Sequence, residues 1–565
     1  MTRRLAPLLL FLLALGACRA REEAARPVSS IAPTPTQGPV PALGYLDESR
    51  EGPPVEGGAL RRRLVGEPAT LNAVLQSGLP EQQVLQYISR QLVDFNARLE
   101  IVGNLAEHWT VSDDGREYRF SLDRDAVWED GKPVTSADAV FTIRRIVDPE
   151  VPSPVFKPVF EGLEVVEALD PTSFRVRFRE MDAYRLFAFA LPLLPEHRFR
   201  GQSFVRAREN RAPLANGPYR VARWKTQEAI ELERNPRWKG APGHFDRVVF
   251  RIVPENAVAY RALVEGDLDE TWIDQPLKER SEKDRGFEEC CRAVEFYNLD
   301  YNYVGLNNRS PFFSDARVRR AMTMLLDRPA IVRGLYHGSA RIISGPWAPD
   351  SPAYDATVTA LPFDPRGAGE LLDQAGWRDS NGNGTRDRGG REFEFDLLVS
   401  AGSTVGRQIG EIFAAELEQA GVRARIRTLE WGTFTERVDS GSYEAANLAW
   451  AAADPNPDPF PYWHSSQFPP RGLNSAYYSN PAADRLMEEA RRELDPEKRR
   501  AAYQRLHRVF RDNPPVVFVV NATQKYAFRR RIHGLVTSPL GLYGFSPGPL
   551  SWWGAHDERS RPAAE

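Results

Sequence analysis

Between Leu448 and Ser466 the chain reads Leu-Ala-Trp-Ala-Ala-Ala-Asp-Pro-Asn-Pro-Asp-Pro-Phe-Pro-Tyr-Trp-His-Ser-Ser, which restricts what can surround it. A short apolar run of strand character gives way to prolines alternating with Asp454, Asn456 and Asp458. The stretch closes in the aromatic cluster Phe460, Tyr462, Trp463 and His464. Each proline removes a backbone donor and fixes φ, so neither a regular helix nor a central strand can continue here. The stretch must be a stiff, extended loop at the end of an element. Two roles fit it. A stiff loop carrying carboxylates and aromatics can hold a ligand at little entropic cost. Equally, it can be a proline-rich turn whose aromatics cover a core.

At 565 residues the chain is too long for one ordinary core and must divide into two or three lobes. Apolar content of 42% and charged content of 27% describe a globular protein. A net charge of -3 and the lack of a basic stripe argue against a nucleic-acid partner. The clusters Arg61-Arg62-Arg63 and Arg529-Arg530-Arg531 are expected as solvated faces. Three cysteines, Cys18, Cys290 and Cys291, do not make a disulfide scaffold, and the adjacent pair is expected as two thiols.

The N-terminus has the proportions of an export signal. A basic Met1–Arg4 segment precedes apolar Leu5–Leu15 and then Leu15-Gly16-Ala17-Cys18. The apolar run is too short to span a bilayer comfortably. Its end resembles a bacterial lipoprotein signal, which implies removal of residues 1–17 and lipidation of Cys18, so that acyl chains hold the protein to a membrane surface. Residues 18–58 carry repeated Pro and Gly without apolar periodicity. They are expected to be a disordered tether with a mean reach of roughly 35 Å.

Beyond the tether, local chemistry marks several elements. Asp114-Gly115 between strand-like runs predicts a hairpin. Thr135 with Asp138 forms a capping box opening a helix. Ser314 or Asp315 caps another helix, with Val318, Ala321, Met322 and Leu325 on one face. Gly376 stops a helix, Pro481 and Asp495-Pro496 start two more, and Val516–Val520 is a buried-type strand.

Other chemistries fit poorly. Gly544-Phe545-Ser546-Pro547-Gly548 matches the nucleophile-elbow pattern, but Pro547 lacks the N–H that an oxyanion hole needs after the serine. The sequence holds no P-loop and no zinc-protease motif. Asp379–Asp387 begins like a calcium loop, yet the position for the bidentate Glu is Gly390, so a β-turn is expected. Asp454, Asp458 and His464 lack the spacing of a metal set. No catalytic residue, metal or cofactor is expected.

A family resemblance runs through these segments. Glu67-Pro68-Ala69-Thr70-Leu71-Asn72, Leu105-Ala106-Glu107-His108-Trp109, Asp130-Gly131-Lys132-Pro133-Val134-Thr135, Asn216-Gly217-Pro218-Tyr219 and Val264-Glu265-Gly266-Asp267-Leu268-Asp269 resemble, in order and spacing, the family 5 extracellular solute-binding proteins of peptide and nickel ABC importers. Tyr303–Asn307, Pro311–Arg328 and Leu371–Trp377 continue the likeness, which covers about Arg61 to Val520. It implies an α/β, periplasmic-binding-protein-like type II fold of two lobes with an inserted subdomain and a cleft between the lobes. Lobe I would span 59–300 with the insertion at about 86–214, lobe II 301–520, and 521–565 would return to lobe I.

The implied function is a lipid-anchored, monomeric receptor in the periplasm or at the cell surface. It would capture a di- or oligopeptide by hinge closure and deliver it to permease subunits. The same fold binding a nickel complex, an oligosaccharide or an opine is the alternative, as is a lipoprotein sensor or chaperone without a transporter. A secreted hydrolase is a more distant reading. In peptide-binding members an Asp following a strand-end Trp holds the ligand's amino group. By motif position this resembles Asp454 after Trp450, with Trp431 as a second wall. Three alanines separate Trp450 from Asp454, one more than the family pattern, so Asp458 stands as a rival. Asn216, Tyr219 and Asn474 fall at turns that the family places near the cleft, and a structural role serves each equally well.

Overall fold

The computed structural model describes residues 44–45, 53–241, 243–451, 455–470 and 472–554. The leader, Cys18, most of the tether and Asp454 lie outside them. Three sheets organise the chain. The first has seven strands in the order Cys291–Phe296, Gln524–Arg529, Glu270–Trp272, Ala59–Leu64, Arg247–Ile252, Ala229–Arg234 and Tyr219–Lys225. The second has six, in the order Ala340–Ile342, Val517–Ala522, Tyr301–Leu306, Ala445–Trp450, Glu394–Ser400 and Arg423–Leu429. The third is an antiparallel sheet of four, Ala106–Val111, Glu117–Leu122, Ser173–Phe178 and Leu163–Asp170. The fold is thus mixed α/β.

Chain order explains how these units are joined. Ala59–Leu64 starts the first sheet, the third sheet follows, and Tyr219–Lys225 resumes the first. The chain then passes from Phe296 to Tyr301 into the second sheet, and returns between Ala522 and Gln524. These two crossings are tied together. The buried Asn521 side-chain amide donates to the carbonyls of Asn298 (2.8 Å) and Asp300 (2.7 Å). Gln524 donates to the Asp300 carboxylate at 3.2 Å.

Local sequence chemistry accounts for the element ends. The Asp114-Gly115 turn joins two paired strands, with Gly115 at φ +66, where a side chain would be strained. Helix Ser136–Val147 opens with the Asp138 carboxylate accepting from the Thr135 N–H at 2.9 Å. Asp315 caps Ala316–Met324, and Asn480 caps Pro481–Arg492 by accepting from the N–H groups of Ala482 and Ala483. In the Asp379 loop the carboxylate accepts from the N–H groups of Gly382, Asn383 and Gly384, which makes a self-satisfied turn. Cys290 and Cys291 are free thiols.

The arginine clusters correct the expectation of solvated faces in part: Arg530 is exposed, but Arg62 and Arg63 are buried and Arg531 is half-buried. Ala59–Leu64 lies between two parallel partners and is buried on both sides. Arg62, fully buried, pairs with Glu270 at 2.9 Å amid the rings of Tyr87, Phe250, Tyr543 and Trp552. Arg63 donates to the Val253 carbonyl, and Arg531 pairs with buried Asp269 at 2.6 Å. A buried guanidinium is tolerable only with such partners.

Two main cores fill the first and second sheets, and a third joins distant segments. Tyr184, from the loop after the four-stranded sheet, packs with Tyr301, Trp347, Trp463, Tyr503 and Phe518. Among the described residues no helix is long and apolar enough to cross a membrane.

Candidate functional site: an interlobe cleft

A concavity of 2560 Å³ is walled by all three units. The segment after helix Ser136–Val147 contributes Val155 and Phe156, and the loop after the four-stranded sheet contributes Arg179, Asp182 and Phe187. The first-sheet side supplies Arg90, Asp94, Tyr526 and Tyr543, and the crossings supply Asn298, Asp300 and Gln524. The proline-rich loop supplies Asn456, Asp458, Phe460 and Tyr462, beside Leu473 and Arg491. Small-molecule sites usually occupy about 300–1,000 Å³. This cleft has room for a chain of several residues.

Local bonds hold the proline-rich loop rigid. The Asn456 side chain accepts from the Asp458 N–H at 3.0 Å, and the Trp347 indole donates to the Pro457 carbonyl at 2.8 Å. Phe460–Trp463 forms one short helical turn. Phe460 lies between the Arg491 guanidinium, 3.9 Å from its ring centroid, and the stacked His464 ring at 4.0 Å.

Of the residues singled out in the sequence, Asp458 lines the cleft, whereas Trp450 stands behind Tyr462 and does not line it. Trp450 ends its strand and meets Tyr462 edge to face at 4.2 Å. Asp458 lines the cleft, but its carboxylate is committed. It takes the Arg491 Nε at 2.7 Å and the Phe460 N–H at 3.1 Å, and its side chain is 1% exposed. Burial pushes its pKa up even with Arg491 opposing.

The other candidates do not line the cleft. Trp431 is 64% exposed and stacks on Phe434. Tyr219 is buried against Tyr87, with its hydroxyl donating to the Phe245 carbonyl. Asn216 accepts from the Arg90 N–H, and Asn474 donates to the carbonyls of His464 and Tyr478. These three hold backbone. Asp454 lies outside the described residues.

Several lining groups escaped sequence reading. Asp94 sits in the cleft wall with neutral partners, the Phe95 N–H at 2.8 Å and the Asn104 amide at 3.3 Å. Desolvation pushes its carboxyl up to about 6, against the pull of those bonds. Pro149–Pro158 is a second proline-rich segment with an aromatic, a composition that could have flagged it beside 455–461. Among the described residues no group of three or more His, Cys, Asp or Glu is placed to hold a metal.

A fold of two lobes joined by paired crossings, with its main cleft between them, defines a receptor that encloses a solute. The chain belongs to the bacterial extracellular solute-binding proteins, family 5, whose middle-region description matches residues 100–470. The family is one of binding proteins of ABC importers and not of enzymes, and the chain shares that class. It is 25% identical over 513 residues to the oligopeptide-binding protein AppA of Bacillus subtilis, covering 89% of this chain and 92% of the relative. A probable di/tripeptide-binding protein of Pseudomonas aeruginosa is 25% identical over 529 residues, covering 86% and 96%. The solved structure of B. subtilis AppA with a nonapeptide superposes with a TM-score of 0.76, covering 89% of this chain and all of that one. NikZ of Campylobacter jejuni with Ni(L-His), at 22% identity and a TM-score of 0.76, shares the fold and covers 88% and 99%.

Proposed function

We propose that this protein is the peptide receptor of an ABC importer, lipid-anchored through Cys18 outside the cytoplasm, which captures its ligand by closure of the two lobes about their crossings. The observation that carries this reading is the 2560 Å³ cleft lined from both lobes and the inserted unit. Its size suits an extended peptide, and the likeness to AppA supports the same ligand class. A ligand touching both lobes stabilises the closed form by its differential contacts, and the closed form is what the permease subunits would recognise. In this reading the crossings serve as the pivot, which the bonds from Asn521 to Asn298 and Asp300 support.

Asp454 is the anchor for the peptide's ammonium in this reading. It follows Trp450 at the end of the cleft strand, and its rival Asp458 has Arg491 as counter-ion. Trp450 supports the wall through its contact with Tyr462, and the protein acts as a monomer. Small-angle scattering of the intact protein tests closure: addition of a mixed tripeptide and tetrapeptide pool should reduce the radius of gyration. An unchanged profile at saturating peptide would contradict the reading. A Cys18→Ala protein should leave the membrane fraction, and its retention there would exclude the lipid anchor.

A further inference from the structure

On the cleft wall away from the proline-rich loop, one carboxylate has no counter-charge. Strand Val93–Phe95 pairs with Ile101–Gly103, and its middle residue, half-buried Asp94, lines the cleft. The chain here runs beside the loop that follows the four-stranded sheet, with the Leu92 N–H donating to the Leu191 carbonyl at 3.0 Å. Among the described residues the Asp94 carboxylate meets neutral donors alone, the Phe95 N–H at Oδ1 and the Asn104 amide at Oδ2.

Two features separate it from an ordinary structural acid. The cation close to it in the chain is engaged elsewhere: Arg90 donates to the Asn104 side-chain carbonyl at 2.9 Å and to the Asp123 carboxylate at 2.7 Å, so that Asn104 stands between the guanidinium and Asp94. Two other acids of the cleft, Asp182 and Asp458, do face a cation, at 3.9 and 2.7 Å from Arg491. A carboxylate drawn from water without such a partner costs free energy, and burial raises the Asp94 pKa to about 6. An asparagine would accept the same Phe95 bond without that cost. A charge kept at a cost in a cleft wall marks a binding group, which a cationic ligand would complete.

We propose that Asp94 determines specificity by receiving the ammonium or guanidinium of a basic side chain on the bound peptide, so that the receptor prefers Lys or Arg at one position of its ligand. The inference rests on the peptide reading above. The rings of Phe95 and Phe187, 5.5 Å apart, line the same cleft and offer an apolar face to the methylene stem of such a side chain. With the amino end held by Asp454 beside the second sheet, a basic side chain at Asp94 gives the ligand a charged contact on each side of the cleft. Contacts to both sides are what favour the closed form.

The test is calorimetric titration of the intact protein at pH 7.5 with tetra-alanine and with tetrapeptides carrying one Lys, Arg, norleucine or Glu at each position in turn. At one position Lys or Arg should bind about 10- to 100-fold tighter than norleucine, the range of one hydrogen bond to a charged group. Glu should bind more weakly than Ala there. Asp94→Asn should bring the Lys-to-norleucine affinity ratio close to one, and Asp94→Glu, which keeps the charge, should retain part of the preference. The Asn variant removes a costly charge and should fold as well as the parent, which thermal unfolding checks. N-acetylated peptides separate the side chain from the amino end: if Asp94→Asn abolishes the effect of acetylation and spares the Lys preference, Asp94 holds the terminus and the proposal is overturned. Equal affinities for Lys, Arg and norleucine at every position, or an undiminished ratio in folded Asp94→Asn, would overturn it also and leave peptide capture standing. If no peptide binds, tetra-alanine included, peptide capture itself fails and the assignment of Asp94 falls with it.

Discussion

Replacing Arg491 by methionine tests how the cleft loop is held. The guanidinium lies 2.7 Å from Asp458 and 3.9 Å from Asp182, while the Arg491 carbonyl accepts from the Ala183 N–H at 2.8 Å. It therefore joins the proline-rich loop to the loop following the inserted sheet. Asp458 is 1% exposed and Arg491 27% exposed at the side chain, so solvent cannot replace the lost partner of the carboxylate. Removing one member of a buried pair costs about 3–5 kcal/mol, mostly through the charge left behind. Asp458→Asn in the same protein removes that charge, and the double variant should regain more than half of the loss.

The pH dependence follows from the same geometry. Burial already raises the Asp458 pKa, and without Arg491 it rises further. The folded variant then holds a proton that the unfolded chain releases, so its deficit grows as pH rises through the raised pKa and shrinks as pH falls. Urea unfolding of the parent, both single variants and the double variant at pH 5 and pH 7.5 provides the measurement. An Arg491→Met deficit below about 1 kcal/mol, the median worth of an exposed pair, would refute the reasoning. So would a double variant no more stable than Arg491→Met.

Three further outcomes are expected. Asp94, with its carboxyl raised to about 6, loses stability for the fold as pH rises from about 4 through 6; Asp94→Asn should therefore raise the melting temperature at pH 7.5 and leave it little changed at pH 4, and an equal change at both would exclude the assignment. Asn521→Leu removes the amide donor to the half-buried carbonyls of Asn298 and Asp300 and the acceptor of the Arg341 guanidinium, which should cost about 1–3 kcal/mol in urea unfolding and alter the closure seen by scattering, whereas parental stability would remove Asn521 from the pivot. Asp454→Ala should weaken peptide binding by about 2–5 kcal/mol if its carboxylate pairs with a desolvated ammonium, and calorimetry showing parental affinity would dismiss it as the anchor.

What the sequence displayed was chemistry acting over a few residues. Asp114-Gly115, Thr135 with Asp138, and Asn480-Pro481 specify their turn and caps because donor and acceptor lie within one turn of chain. The α/β class and the family followed from the order of such segments. The arginines at 61–63 were opaque because their strand is buried by partners almost two hundred residues away. Asn216, Tyr219 and Asn474 look alike as cleft-facing or structural turn residues, since the direction of a turn side chain depends on the backbone it meets. The cleft walls were the least legible part. Asp94, Phe156, Tyr526 and Arg491 share no local pattern and converge only through the two crossings.

Peptide capture is tested most directly by native mass spectrometry of the intact protein purified without denaturant, followed by sequencing of whatever it releases on unfolding. A bound mass that resolves into one or more peptides is expected, with Asp454→Ala recovered largely empty. A bound metal chelate, sugar or opine in place of peptide would contradict it.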